Sequence, residues 1–129
     1  MRIAASIFVA AHGIGFSIWF LSTWMPATLG GSAKHLTFLP EAPATGAVGK
    51  ALGIVALAVM VGFVLAAWGI WQQASWWPIL LTGSAIASLP VAMAVWNPVG
   101  VVSVLATLAS GALMAASVMP WGERFLGPH

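Results

Sequence analysis

The chain has 129 residues, of which 61% are hydrophobic and only 5% charged. Soluble domains carry about 25% charged residues, so a soluble monomer is excluded. There is no Cys, no Tyr and no Asp, and a net charge of +2 rests on four basic and two acidic side chains; disulfide scaffolds, zinc–thiolate sites and nucleic-acid surfaces drop out.

Four apolar stretches predict helices at about 3–24, 51–71, 76–96 and 99–119, joined as one transmembrane domain over residues 1–129. Each holds about 21 residues and reaches ~31 Å, the thickness of a hydrocarbon core. None carries Lys, Arg, Asp or Glu. Nothing alternates with period two, so the chain does not read as a transmembrane barrel. The expected fold class is an all-α integral membrane protein, a four-transmembrane-helix antiparallel bundle with a long ordered loop over 25–50 between helices 1 and 2.

The first stretch runs on to Trp24, past a typical leader core, and reads as a span. It contains His12, the one ionisable side chain inside any span. His12 lies ~13 Å along the helix from Ile3 and so near mid-membrane. An intramembrane ionisable residue is costly to bury and invites a functional reading. Three roles fit: a ligand to haem iron or chlorin magnesium, a proton relay, or a hydrogen-bond partner of a lipophilic ligand. The structural alternative is a neutral imidazole bonded to a Ser, Thr or carbonyl of a neighbouring helix. No second span offers a His, which argues against a bis-imidazole haem. Phe8, one turn earlier, crowds a macrocycle.

The connection from Met25 to Gly49 holds Lys34, His35 and Glu41, with a possible interfacial helix over Ser32–Leu39. His35 reads as a solvated loop residue. Glu41 and Glu123 both lie outside the spans, so one copy of the chain builds no paired-carboxylate site. Past the second span a short turn leads to Trp76, Trp77 and Pro78; Asn97-Pro98 makes the next turn, and Pro120 ends the fourth span. Pro90, deep in the third, is expected to bend it and free the Ile86 carbonyl.

Eight Trp are present, and all but Trp19 fall near a predicted span end, as an interfacial belt requires. Small residues supply packing stripes: Ala11, Gly15 and Ser22 in the first span; Ala58, Gly62 and Ala66 in the second; Ser84, Ser88 and Ala92 in the third; Ser103, Thr107, Gly111 and Ala115 in the fourth. Gly49 and Gly53 form a further GxxxG. Arg2 and Arg124 balance Lys34 and Lys50 across the membrane. The free amine tips the positive-inside rule towards cytoplasmic termini in a multi-pass protein of the cell membrane.

Three segments carry a family resemblance. The first is His12-Gly13-Ile14-Gly15-Phe16-Ser17-Ile18-Trp19-Phe20, the second Gly49-Lys50-Ala51-Leu52-Gly53, and the third the Trp76-Trp77 pair with the turn from Trp96 to Gly100. Together they resemble small four-helix bacterial integral membrane proteins with a permease-like label, DoxX-like in style. The family's first-span pattern has a second His where this chain has Phe16. The resemblance implies a fold and no specific activity.

The leading functional expectation is a non-catalytic accessory or structural subunit packed in a larger membrane complex, in energy transduction for example. Its partners would be the lipid bilayer and other membrane subunits or further copies of the chain. The first alternative is a binder or carrier of a lipophilic small molecule, with His12 as cofactor or ligand contact and Trp19, Phe16 and Pro90 lining the pocket. The second is an enzyme on a lipid-like substrate with His12 as general base.

Overall fold

The computed structural model describes residues 2–25, 36, 39, 41–94 and 101–120, the side chains of 101–103 excepted. Every regular element among them is helical: α1 (Arg2–Gly15), α2 (Ser17–Trp24), α3 (Ala47–Gln72), α4 (Trp77–Ala94) and α5 (Val101–Val118). Three helical stretches are long and apolar enough to cross a membrane: Arg2–Trp24, Ala47–Gln72 and Trp77–Ala94. A shorter apolar helix occupies Val104–Val118. Of the expected loop helix over Ser32–Leu39 only Leu36 and Leu39 are described, neither of them helical, and the Leu36 N–H donates to Ala42 O at 3.1 Å; the turn at Asn97-Pro98, His35, Trp96, Trp121 and Glu123 lie outside the described residues.

The first stretch is not one unbroken helix. At Phe16 the ladder tightens: the Phe16 N–H donates to Gly13 O at 2.9 Å, and the Trp19 N–H to Phe16 O at 3.2 Å. Bonds to the third residue back mark a local 3₁₀ turn. The Gly15-Phe16-Ser17 sequence accounts for it, since Gly and Ser tolerate a break in a helix. The break turns Phe16 and Trp19 inward, and both are buried. Beyond it, Ser22 and Thr23 donate back to the Trp19 carbonyl at 2.9 and 3.0 Å. A hydroxyl within an apolar span is thereby satisfied inside its own helix.

α3 is the hub, with α1 and α2 on one side and α4 on the other; α5 packs on α4. Glycines set the closest approaches. A Cβ on Gly13 would lie 2.6 Å from Phe63 Cβ, and one on Gly53 would meet Thr23 and Trp24. Along α3 the partner's residue number rises as its own falls, which makes the α1–α2 unit antiparallel to α3. Gly62 against Ser84 and Gly69 against Trp77 give α3 and α4 the same relation. Gly49 faces the backbone of Ala44, so the two glycines of the GxxxG have different tasks: Gly49 admits the loop and Gly53 admits α2.

The packing faces differ in part from the expected stripes. Ser84, Ser88 and Ala92 are buried as a set, but Ala11, Gly15 and Ala58 are exposed. In α1 the buried positions are Ser6, Val9 and Gly13. In α5 they are Ala106, Ser110, Leu113, Ala116 and Ser117. Small residues recur on more than one face of these helices, and spacing alone does not say which face meets protein. Thr82 and Ser117 join α4 to α5 through a hydroxyl pair at 2.7 Å.

The α3–α4 turn is closed by Gln73 in the left-handed region, φ 57°, ψ 35°. The Ala74 N–H donates to Gly69 O at 3.0 Å, which caps the last carbonyls of α3. A side chain is strained in that conformation and glycine is not. Gln73→Gly is therefore expected to raise stability by about 1 kcal/mol, read as a higher midpoint in detergent unfolding. Trp68, Trp71 and Trp76 stay exposed around this turn, whereas Trp77 is buried against Gly69. At the opposite end the exposed Trp24 donates its indole N–H to Lys50 O at 3.0 Å, and the Lys50 ammonium sits 5.2 Å from the ring centre.

Candidate ligand cleft beside His12

His12 leaves α1 about midway between Arg2 and Trp24 and points across to α5. Its Nε2 lies 2.9 Å from Ser110 Oγ. The chain separation of 98 residues makes this a tie between the first and last described helices, which otherwise touch little. Three aromatic rings hold the imidazole in place. Phe8 lies parallel at 6.3 Å, while Phe16 and Phe63 present edges at 5.4 and 5.0 Å. Phe8 is one turn before His12, and Phe16 one turn after it.

Beside this tie α1–α2 and α5 stand apart and border an open groove of about 280 Å³ on the outer surface of the bundle. One wall is Phe8, Ala11, His12, Gly15, Phe16 and Trp19. The other is Leu105, Ala106 and Ala109 of α5. Ala11 and Gly15, expected to be helix-packing residues, are cleft-wall residues, and no atom lies within 4 Å of a Cβ placed on Gly15. Phe16 stacks on the Trp19 indole at 4.7 Å. Trp19 is 1% exposed, and its Nε1 is buried with no hydrogen-bond partner among the described residues.

Of the residues expected in a pocket, His12, Phe16 and Trp19 thus border one open groove. Pro90 does not join them: it is exposed on α4 and absent from the cleft wall. α4 packs between α3 and α5, which keeps it from the α1 side. The carbonyl freed by Pro90 is not taken up by Ser88, which donates instead to Ala85 O at 2.7 Å.

Sequence reasoning missed Ser110, Phe63 and the α5 wall. A signal for Ser110 was present, because a mid-membrane imidazole needs a polar neighbour and α5 offers hydroxyls at Thr107 and Ser110. The expected stripe through Thr107 directed attention to the neighbouring face.

Chemically, the site offers one imidazole, one hydroxyl and one indole N–H in apolar surroundings. No group of three His, Cys, Asp or Glu gathers among the described residues as metal ligands would. Of the two ring nitrogens Nε2 faces Ser110, so a haem iron or chlorin magnesium on that nitrogen would require α5 to withdraw. Glu41 is exposed in the loop before α3 and does not reach His12. No protein-family model, curated protein or solved structure matches the chain.

Proposed function

We propose that the chain is a four-span integral membrane protein of the cell membrane, with cytoplasmic termini, that binds a lipid-soluble small molecule between α1–α2 and α5. The observation that carries this reading is the cleft beside His12. It is an open, largely apolar groove beside the middle of the first span, with the His12 imidazole on its wall; small-molecule sites are likewise mostly apolar with few placed polar groups. α5 completes the bundle as the fourth span, and a fold of this kind agrees with the small four-helix proteins that the sequence resembles. The His12–Ser110 tie supports a non-catalytic role: His12 is already bonded, and among the described residues no carboxylate stands by to orient it as a base. The accessory-subunit reading draws on the chain's size, small-residue stripes, aromatic belts and scarcity of reactive groups, and stripes of that kind pack a single bundle equally well.

The test is native mass spectrometry on protein gently extracted from its source membrane. The wild type should retain a discrete small mass. Ala109→Phe, which fills the cleft from α5, should lose it while unfolding at a similar temperature. Pro90→Ala should retain it, because Pro90 stands outside the cleft. A wild type carrying only the ordinary lipid ladder of the variant would contradict the reading, and a co-extracted protein of constant stoichiometry would favour a subunit instead.

A further inference from the structure

Resting on the groove as a ligand site, we infer that its ligand is a lipophilic alcohol or phenol whose hydroxyl bonds to Nδ1 of His12. A neutral imidazole has one donor and one acceptor nitrogen. Nε2 is taken by Ser110 Oγ at 2.9 Å. Nδ1 has no hydrogen-bond partner among the described residues. It is also not buried, since Trp19 Nε1 is the only buried unpartnered side-chain atom among them. Nδ1 thus keeps accessible surface, in a residue that forms part of the groove wall. At mid-span the hydrocarbon offers no water. An ordinary phospholipid keeps its polar atoms at the interface and brings only acyl chain to this depth. The partner of Nδ1 has to come from a molecule that carries a polar group into the hydrocarbon.

The rest of the wall narrows the class. No charged side chain lines the groove, so a carboxylate, phosphate or ammonium would enter unpaired, which is costly in apolar surroundings. The neutral groups differ in what they do at a ring nitrogen. Ser110 Oγ either donates to Nε2 or accepts from it, and the tie stands in both cases. In the first case Nδ1 carries the proton and donates; in the second it is bare and accepts. A hydroxyl meets both, accepting in the one and donating in the other. A ketone meets only the first, and an alkane neither. When the ligand donates to Nδ1, Nε2–H donates on to Ser110 Oγ, and the two bonds in series strengthen each other. Ala11 and Gly15 on one side and Ala106 and Ala109 on the other leave a slot for the ligand's body. Nothing lies within 4 Å of a Cβ placed on Gly15.

The experiment uses the full chain, ¹⁵N-labelled at the histidine rings, in lipid nanodiscs, with 6-undecanol, 6-undecanone and undecane as probes. His12→Phe assigns the His12 ring resonances by their loss. The alcohol should move the His12 Nδ1 resonance, and the alkane should not. After correction for partition into empty nanodiscs, the alcohol should bind about tenfold more tightly than the alkane, the worth of one hydrogen bond, and more tightly than the ketone. In His12→Phe with Ser110→Ala, which refills the space and strands no hydroxyl, that preference should vanish while the alkane still binds. Two results overturn the inference and leave the groove as a site. If alcohol and alkane bind alike and the Nδ1 resonance stays still, the groove takes lipophiles but not through His12. If the ketone binds as tightly as the alcohol or more so, the nitrogen only donates and the class is wrong. If the wild type holds no probe better than Ala109→Phe does, the groove itself is not a binding site, and the underlying reading fails with it.

Discussion

Gly13→Ala is expected to lower stability by about 1–3 kcal/mol, the usual penalty for overpacking a tight interior. The added methyl would stand 2.6 Å from Phe63 Cβ and 3.2 Å from the Met60 carbonyl oxygen. One of those atoms is backbone and the other is fixed to it, so neither swings aside. Relief requires α1 to move off α3, and Phe63 belongs to the ring set around His12. The control lies two residues away. Gly15→Ala meets no atom within 4 Å and replaces a poor helix former by the best one, worth up to about 1 kcal/mol. Thermal or denaturant unfolding in detergent should therefore separate the two variants in opposite directions. Equal behaviour would show that α1 does not cross α3 at Gly13.

His12→Ala has the second large effect, a loss of about 2–4 kcal/mol from a cavity among Phe8, Phe16 and Phe63 together with a stranded Ser110 hydroxyl. Ser110 is 1% exposed, so its hydroxyl has no route to water or headgroup. The pair term itself is smaller. Hydrogen bonds between membrane helices are worth about 0.6 kcal/mol on average and reach about 1.7. A double-mutant cycle with Ser110→Ala should return a coupling in that range, and His12→Phe with Ser110→Ala should recover much of the loss by refilling the space. Zero coupling would mean that α1 and α5 are not tied here, and the groove they border would lose its back wall.

The spans were legible because their signal is collective. Runs of about 21 residues free of charge, closed by Pro and Trp, need no knowledge of neighbours to be read as helices. The first span illustrates the limit. Length and hydropathy carry it from Arg2 to Trp24, yet the break at Phe16 is a matter of a few hydrogen bonds, and the Gly and Ser beside it are equally at home in an unbroken membrane helix. The stripes show the same limit. Gly13 and Gly15 are both small, and only the position of Phe63 decides that Gly13 is the contact while Gly15 borders a groove.

The site was half legible. His12 stood out as a polar residue out of place in hydrocarbon, and Trp19 as an indole too deep for the interfacial belt. Phe16, flanked by Gly15 and stacked with Trp19, falls on the same wall because residues three and four apart share a helix face. Pro90 was associated with them by its depth and by the small cavity that its kink could open. Depth fixes a layer of the membrane and not a side of the bundle, and α4 lies on the far side from α1. Ser110 and the α5 wall depend on which helices meet after α3 and α4 have taken their places, and that order is settled by packing across the whole bundle.

Photocrosslinking tests the cleft most directly. A benzophenone amino acid replaces Leu105, which borders the cleft, or Leu108, which is equally exposed on α5 but does not. After irradiation in the source membrane, the Leu105 variant should acquire one dominant small adduct that the Leu108 variant lacks, and Ala109→Phe should abolish it. The same lipid ladder at both positions would contradict a ligand site beside His12.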